Sequence, residues 1–180
     1  MGWNMQPTSM VIMEDCVVSK NNLIGKKGDG FKIAMKGLDG GRINIASCSI
    51  GGASLAIDQA LSHLKSRKQF GKNLSDFQYL QFKLAEMSTK LLSSRLMVRN
   101  AAKSLDEQNT NKSIYAAMCK YYATEVCFNI VSESLQMHGG YGYLKDYDVE
   151  RIFRDLRVNM ILEGTNEIMK MIISRNIIKN

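Results

Sequence analysis

A single proline, Pro7, in 180 residues leaves this chain free to run as helix almost from end to end. From Phe31 onward the apolar spacing is helical and stays so to the end. A chain of this size buries roughly 70% of the surface its unfolded form exposes, enough for a core without disulfides or metals. Hydrophobic residues make up 45% and charged residues 23%. That mix is globular and excludes a disordered, collagen-like or purely coiled-coil chain.

Residues 1 to about 25 read differently. The β-tolerant run Val11 to Ser19 leads into a loop from Asn21-Asn22 to Gly30. It predicts one or two strands, too few to form a sheet that is stable alone. The first long helix is expected from about Arg42 to Ser66, rich in Ala46, Ser47, Ser49, Gly51, Gly52, Ala53 and Ser54. Mid-helix glycines cost about 1 kcal/mol each against alanine, so close approach of a neighbouring backbone or a ligand is expected there.

A second helix follows from Phe77, with Ser75 or Asp76 as its cap. Its seam is Phe77, Leu80, Leu84, Met87, Leu91, Val98, Ala102 and Leu105, interrupted at Ser94. At about 45 Å such a helix belongs in an antiparallel bundle or an oligomer interface. The third, about 112 to 138, carries the stripe Tyr115, Met118, Tyr122, Val126 and Ile130 and stops at Gly139-Gly140. A shorter helix is expected around 146 to 159. The last, capped by Thr165, should bury Ile168, Met171, Ile172 and Ile178. The predicted fold is mainly α: an up-down four-helix bundle (28–180) behind a short β remnant (1–27).

The net charge of +7 is scattered, its longest runs being pairs such as Lys26-Lys27 and Arg67-Lys68. No basic stripe with interleaved aromatics marks a nucleic-acid surface. Either a solvated surface or a phosphate-rich small ligand accounts for the excess. Cys16, Cys48, Cys119 and Cys127 have no CxxC spacing, and only His63 and His138 accompany them, so no structural metal is expected. Free thiols on apolar faces point to a reducing compartment. No run approaches the roughly 20 apolar residues of a membrane span. The opening MGWNMQPTSM has neither a signal-peptide core nor an Arg-rich start, so no address is expected within the chain.

Four clusters carry possible chemistry, each with an ordinary alternative. Asp39-Gly40-Gly41-Arg42 combines glycines that admit a close neighbour with an arginine for Asp39 or an anionic ligand; the alternative is a turn with a salt bridge. Arg67-Lys68-Gln69-Phe70-Gly71 sets a guanidinium beside an exposed aromatic, suited to a pyrophosphate with a flat ring, or is a basic helix end facing the dipole. Gln136 to Tyr143 is neither nucleotide fingerprint and also reads as a glycine stop, with His138 packed or capping. Glu163-Gly164-Thr165-Asn166-Glu167 follows the apolar residues Val158, Met160, Ile161 and Leu162. Burial pushes such a carboxyl toward neutrality while the following helix start favours the anion. Glu163 is thus a candidate base, or a solvated helix-start glutamate.

The order of RKQFG (67–71), LAEM (84–87), QMHGGYGY (136–143), RDLRV (154–158) and ILEGTNEI (161–168) resembles the C-terminal part of the flavin-dependent acyl-CoA dehydrogenases. GLDGGRINIAS (37–47), YLQF (79–82), LMVRNAA (96–102) and LQMHGGYGYLKDY (135–147) resemble most closely the branch acting on isobutyryl-CoA. GWNMQPTSMVIMEDCVV (2–18) is similar to the closing strands of that family's middle β domain.

The resemblance implies a three-domain subunit whose C-terminal bundle builds a homotetramer, with FAD between the β domain, the bundle and a neighbouring subunit. It implies that Glu163 removes the α-proton of an acyl-CoA, that a hydride passes to FAD giving the 2-enoyl-CoA, and that electrons go on to electron-transferring flavoprotein. By the same resemblance Asp39, Gly40, Gly41, Arg42 and Arg175 meet the substrate. Arg67, Phe77, Gln78, Thr165, Asn166 and Glu167 contact FAD. Gln136, Met137, His138, Gly139 and Gly140 contact the FAD of the neighbouring subunit. The resemblance also implies residence in the mitochondrial matrix. The flavin-ring contacts and one wall of the acyl pocket would lie outside this chain, which leaves open a second reading: a catalytically silent helical oligomerisation domain.

Overall fold

The computed structural model describes residues 1–179. Five α-helices carry the fold: α1 (Gly30–Ser66), α2 (Gln78–Asp106), α3 (Lys112–His138), α4 (Asp148–Leu156) and α5 (Asn166–Lys179). Strands β1 (Lys68–Gln69) and β2 (Lys72–Asn73) form an antiparallel hairpin between α1 and α2, with Lys68 opposite Asn73 and Gln69 opposite Lys72. Its two-residue loop, Phe70-Gly71, has both residues at positive φ, the backbone that a right-twisted hairpin requires.

The mainly helical bundle is as expected; its details differ in several places. Residues 1–29 contain no strand, and Val11, Ile12, Met13, Val17 and Val18 are all exposed. Two strands at most were available there, and with no further strand to pair them they have nothing to bond to. Helix α1 starts at Gly30 rather than near Arg42, so Asp39 to Arg42 sit inside a helix and not at its entrance. The last helix buries Asn166 and Met169, leaving Ile168 and Ile178 exposed.

Helices α1, α2 and α3 are antiparallel neighbours, with α1 and α3 packed along most of their length. Their contact is built of small residues: Ala46, Ala53, Ala56 and Ala60 on α1, and Ala116, Ala123 and Cys127 on α3. Small side chains let two helix axes come close, at the low end of the usual 8–10 Å. The buried face of α3 is accordingly its alanine and cysteine face, with Tyr115, Met118, Tyr122 and Val126 only half-buried beside it and Ile130 alone of that stripe fully buried. On α2 the expected seam holds at Met87, Leu91 and Val98, and Ser94 belongs to it. Its hydroxyl bonds back to the Lys90 carbonyl at 2.9 Å, which removes the cost of burying it.

From Asp148 the chain returns along α1, and the small residues of α1 receive it in turn. Leu156 lies where a Cβ on Gly52 would stand. The Asn159 side-chain amide donates to the Ser49 hydroxyl at 2.8 Å, with both residues buried. Glu163 then lies over Gly41. Positions 41, 49 and 52 share one helix face, so the small-residue stripe seats the returning segment. Cys119 and Cys127 are buried, and burial pushes both thiols up to about 12, so they stay protonated. Cys16 and Cys48 are exposed instead of lying on apolar faces. Among the described residues, no helix is long and apolar enough to cross a membrane.

Candidate active site

The sequence-predicted site residues fall at two ends of the bundle. One end is built around the turn Glu163-Gly164. Both residues are in the left-handed region, at φ +57° and +87°. For a glutamate that conformation is strained and persists only where neighbours hold it.

Three contacts hold it. The half-buried Glu163 carboxylate occupies the space beside Gly41: a Cβ there would collide with Oε2 and Cδ. The other glycine of the pair, Gly40, has nothing within 4 Å of the equivalent position. Lys120, with no exposed surface, donates from Nζ to the Gly164 carbonyl and to Asn166 Oδ1, both at 2.9 Å. Asn166 in turn donates from Nδ2 to Thr124 Oγ1 at 3.1 Å and to Glu125 Oε1 at 3.4 Å. Burial first, then Arg42, lowers the Lys120 ammonium from 10.5 to about 8; Glu167, Glu163 and Glu125 act against both. Composition and periodicity give no sign of Lys120. Its only sequence signal is a charge on the alanine and cysteine face of α3.

On α1, either side of Gly40-Gly41, Arg42 donates from Nη1 to Asp39 Oδ1 at 3.0 Å, both residues buried, and Ser113 donates to the other oxygen of Asp39. The salt-bridge alternative for this cluster and its role in admitting a close neighbour are therefore both realised. The Arg42 Nε is buried without a partner. Thr165 accepts the Ile168 N–H at 3.4 Å as a helix cap. Glu167 is exposed, and its own backbone N–H, then the Thr165 hydroxyl, hold its carboxyl below the usual range. A cavity of about 860 Å³ opens here, lined by Glu163, Leu162, Ile161, Ile45, Arg157 and Trp3 among others. Arg175 is exposed on α5, about 14 Å along the helix from Asn166.

The other end is exposed. Gly41 and Ser66 are about 37 Å apart along α1. Arg67, just past α1, lies with its guanidinium 5.8 Å from the centre of the Tyr141 ring. Phe70 is 85% exposed at φ +53°, edge-on to Phe77 at 6.3 Å, and Lys72 Nζ sits 4.1 Å over the Phe77 ring. Gln78 and Gln136 are exposed, as are Gly139 and Gly140 where α3 stops. Met137 and His138 point inward: the His138 ring stacks on His63 at 4.7 Å, and its Nδ1 pairs with the Ser134 carbonyl at 2.7 Å. What this end offers outward is one guanidinium, two side-chain amides, open glycine backbone and an exposed phenyl ring. That donor set fits a dinucleotide: charge and N–H groups for a pyrophosphate, a flat face for a ring.

The family model described as acyl-CoA dehydrogenase, C-terminal domain, matches residues 28–178. Mitochondrial isobutyryl-CoA dehydrogenase of Bos taurus is 56% identical over 178 residues, covering 99% of this chain and 43% of that protein. Its counterpart in Dictyostelium discoideum is 54% identical over 180 residues, 100% of this chain and again 43% of the relative. Among solved structures, a chain in one described as "Electron transferring flavoprotein of Acidaminococcus fermentans: Towards a mechanism of flavin-based electron bifurcation" superposes with TM-score 0.91 at 44% identity. There 94% of this chain covers 44% of the other. The chain thus spans less than half the length of the relatives it matches. By the family model over residues 28–178 and by these identities, it belongs to the acyl-CoA dehydrogenase family and carries that family's C-terminal helical domain.

Proposed function

We propose that this chain supplies the base of a flavin-dependent acyl-CoA dehydrogenase acting on a short, branched acyl-CoA, with isobutyryl-CoA as the preferred substrate. The observation that carries the reading is the Glu163 carboxylate, half-buried at the mouth of the large cavity and seated against the bare backbone of Gly41. A carboxylate held in one place beside a water-poor cleft abstracts an acidic C–H far better than a mobile one. Glu163 takes the α-proton of the thioester onto its carboxylate. Asp39, Gly40, Gly41 and Arg42 line the approach for the acyl group, and Arg175 meets the substrate farther along α5. Gly41 leaves room for the carboxylate, and Arg42 balances the charge near it.

FAD, when bound, supplies the acceptor for the β-hydride, leaving the 2-enoyl-CoA. Thr165 and Glu167 face it at the base end. Arg67, Phe77, Gln78, Gln136, Gly139 and Gly140 face it at the other end, with Met137 and His138 setting the shape of the last helix turn. These two groups are farther apart than one dinucleotide reaches, so they serve cofactors bound by different copies. A homo-oligomer follows, with electron-transferring flavoprotein as the electron partner, in the mitochondrial matrix. Residues 1–27 are the end of a preceding β domain, and 28–180 form the bundle domain.

One observation favours a second reading, that of an oligomerisation domain silent on its own: the run Met10 to Val18 keeps its apolar residues exposed, as a segment does when its partner is elsewhere. The test is anaerobic: the FAD-loaded protein is mixed with isobutyryl-CoA and the flavin absorbance followed. Bleaching that disappears in Glu163→Gln supports the first reading. Bleaching at full rate in Glu163→Gln removes Glu163 as the base, and flavin that binds but never bleaches supports the silent domain.

A further inference from the structure

Lys120 is the largest side chain with no exposure anywhere in the described residues, yet no carboxylate lies within ion-pair distance of it. An ammonium buried against neutral oxygens is costly, so a fold retains one where its hydrogen bonds hold something in place. What it holds is the turn that carries Glu163. Its two acceptors, the Gly164 carbonyl and Asn166 Oδ1, tie the exit of the turn in which Glu163 and Gly164 both adopt positive φ to the start of α5. Without the clamp, a glutamate relaxes to the ordinary helical or extended regions. Its carboxylate then leaves the place that Gly41 keeps open.

We infer that Lys120 is the positioning residue of the base, a clamp from α3 that pins the Glu163-Gly164 turn so that the carboxylate stands over Gly41. It touches neither substrate nor cofactor. The inference rests on Glu163 being the functional carboxylate, but the geometry it asserts stands without that assignment. The charged groups around the ammonium are Arg42 from α1, Glu125 from α3, Glu163 on the loop and Glu167 from α5. Burial, and after it Arg42, outweighs the three carboxylates and lowers the ammonium to about 8.

The experiment is solution NMR on the full chain, reading two local probes. One is the nuclear Overhauser contact between the Gly41 α-protons and the Glu163 side chain; the other is the three-bond coupling that reports the Glu163 φ. Both should be present in the unaltered chain. In Lys120→Met, which keeps the length and removes the donors, the contact should vanish and the coupling should move to an ordinary negative-φ value. Lys120→Arg should restore at least part of the contact. Should the two probes survive unchanged in a folded Lys120→Met chain, Lys120 is not the clamp.

A measurement on the unaltered chain covers the case in which Lys120→Met does not fold. The Lys120 Nζ protons should be slow to exchange and show contacts to the Gly164-Thr165 backbone and the Asn166 side chain, alongside the positive-φ coupling at Glu163. Nζ protons that exchange freely while Glu163 keeps its positive φ overturn the inference. None of these readings uses flavin or acyl-CoA. Failure of Glu163 as base, seen as undiminished turnover in Glu163→Gln, would therefore leave them standing.

Discussion

The two ends of this bundle solve opposite problems. At the Glu163 end almost every polar group is spoken for within the chain: Asp39 with Arg42 and Ser113, Lys120 with Gly164 and Asn166, Asn166 with Thr124 and Glu125. At the Arg67 end the side chains of Phe70, Gln78 and Gln136 and the backbone at Gly139-Gly140 face solvent. The first end is pre-organised by the fold, which is what a proton-abstracting group needs. The second waits for something outside the chain. We propose that this division, a carboxylate fixed by the fold and a ligand grip presented outward, serves a site completed by a second copy.

Four outcomes would break or sharpen that contrast. The largest concerns Glu163→Gln, which should lower turnover in the loaded enzyme on the order of 10³–10⁴-fold. Flavin retention and the melting temperature should stay as they were, because the amide fills the same space over Gly41. Next is Arg67→Ala. It should weaken FAD binding by about 10–100-fold, the worth of one charge-assisted hydrogen bond to phosphate, without moving the melting temperature. An effect on stability instead would mean that the exposed end is structural.

The third outcome sets two neighbouring glycines against each other. Gly41→Ala should destabilise the chain by about 1–3 kcal/mol, since its methyl group enters the carboxylate's place. Gly40→Ala, with open space at the same point, should stabilise α1 by about 0.5–1 kcal/mol through helix propensity alone. Chemical denaturation of the two variants side by side decides it; equal effects would mean that Glu163 does not occupy the Gly41 gap.

The smallest is a pH effect at the far end. Burial first, then His138 and Arg67, lowers the His63 proton affinity below the ordinary 6.5. The folded chain therefore binds that proton less readily than the unfolded one, and stability should fall as pH drops below 6.5. Melting curves at pH 7.5 and 5.5 read the loss, and His63→Gln should flatten it. Lys120 has the same sign in a higher window: stability rises as pH climbs from about 8 toward 10.5.

Local signals made much of this legible. Helices α2 and α3 appear nearly where the apolar spacing and the Gly139 stop put them, and Thr165 caps α5 as its position suggested. What the residues alone hid was the partner of each small residue. Gly40-Gly41 looks like a break, so the helix was expected to start after it. Only Glu163, far along the chain, explains a glycine kept inside α1. The α3 stripe misled for a related reason: bulky aromatics draw the eye, yet close helix contact selects alanine and cysteine. Lys120 was invisible because burial of a charge is a property of the assembled fold.

One measurement reaches the central claim, that the two ends act in different copies of one site. The purified chain is incubated with FAD and its absorbance at flavin wavelengths recorded across a size-exclusion profile. Flavin should appear in the oligomer peak and not in the monomer, be retained in Glu163→Gln and be lost in the double variant Arg67→Ala with Gln136→Ala. Flavin riding with the monomer, or an oligomer of the unaltered chain that elutes colourless, would contradict it.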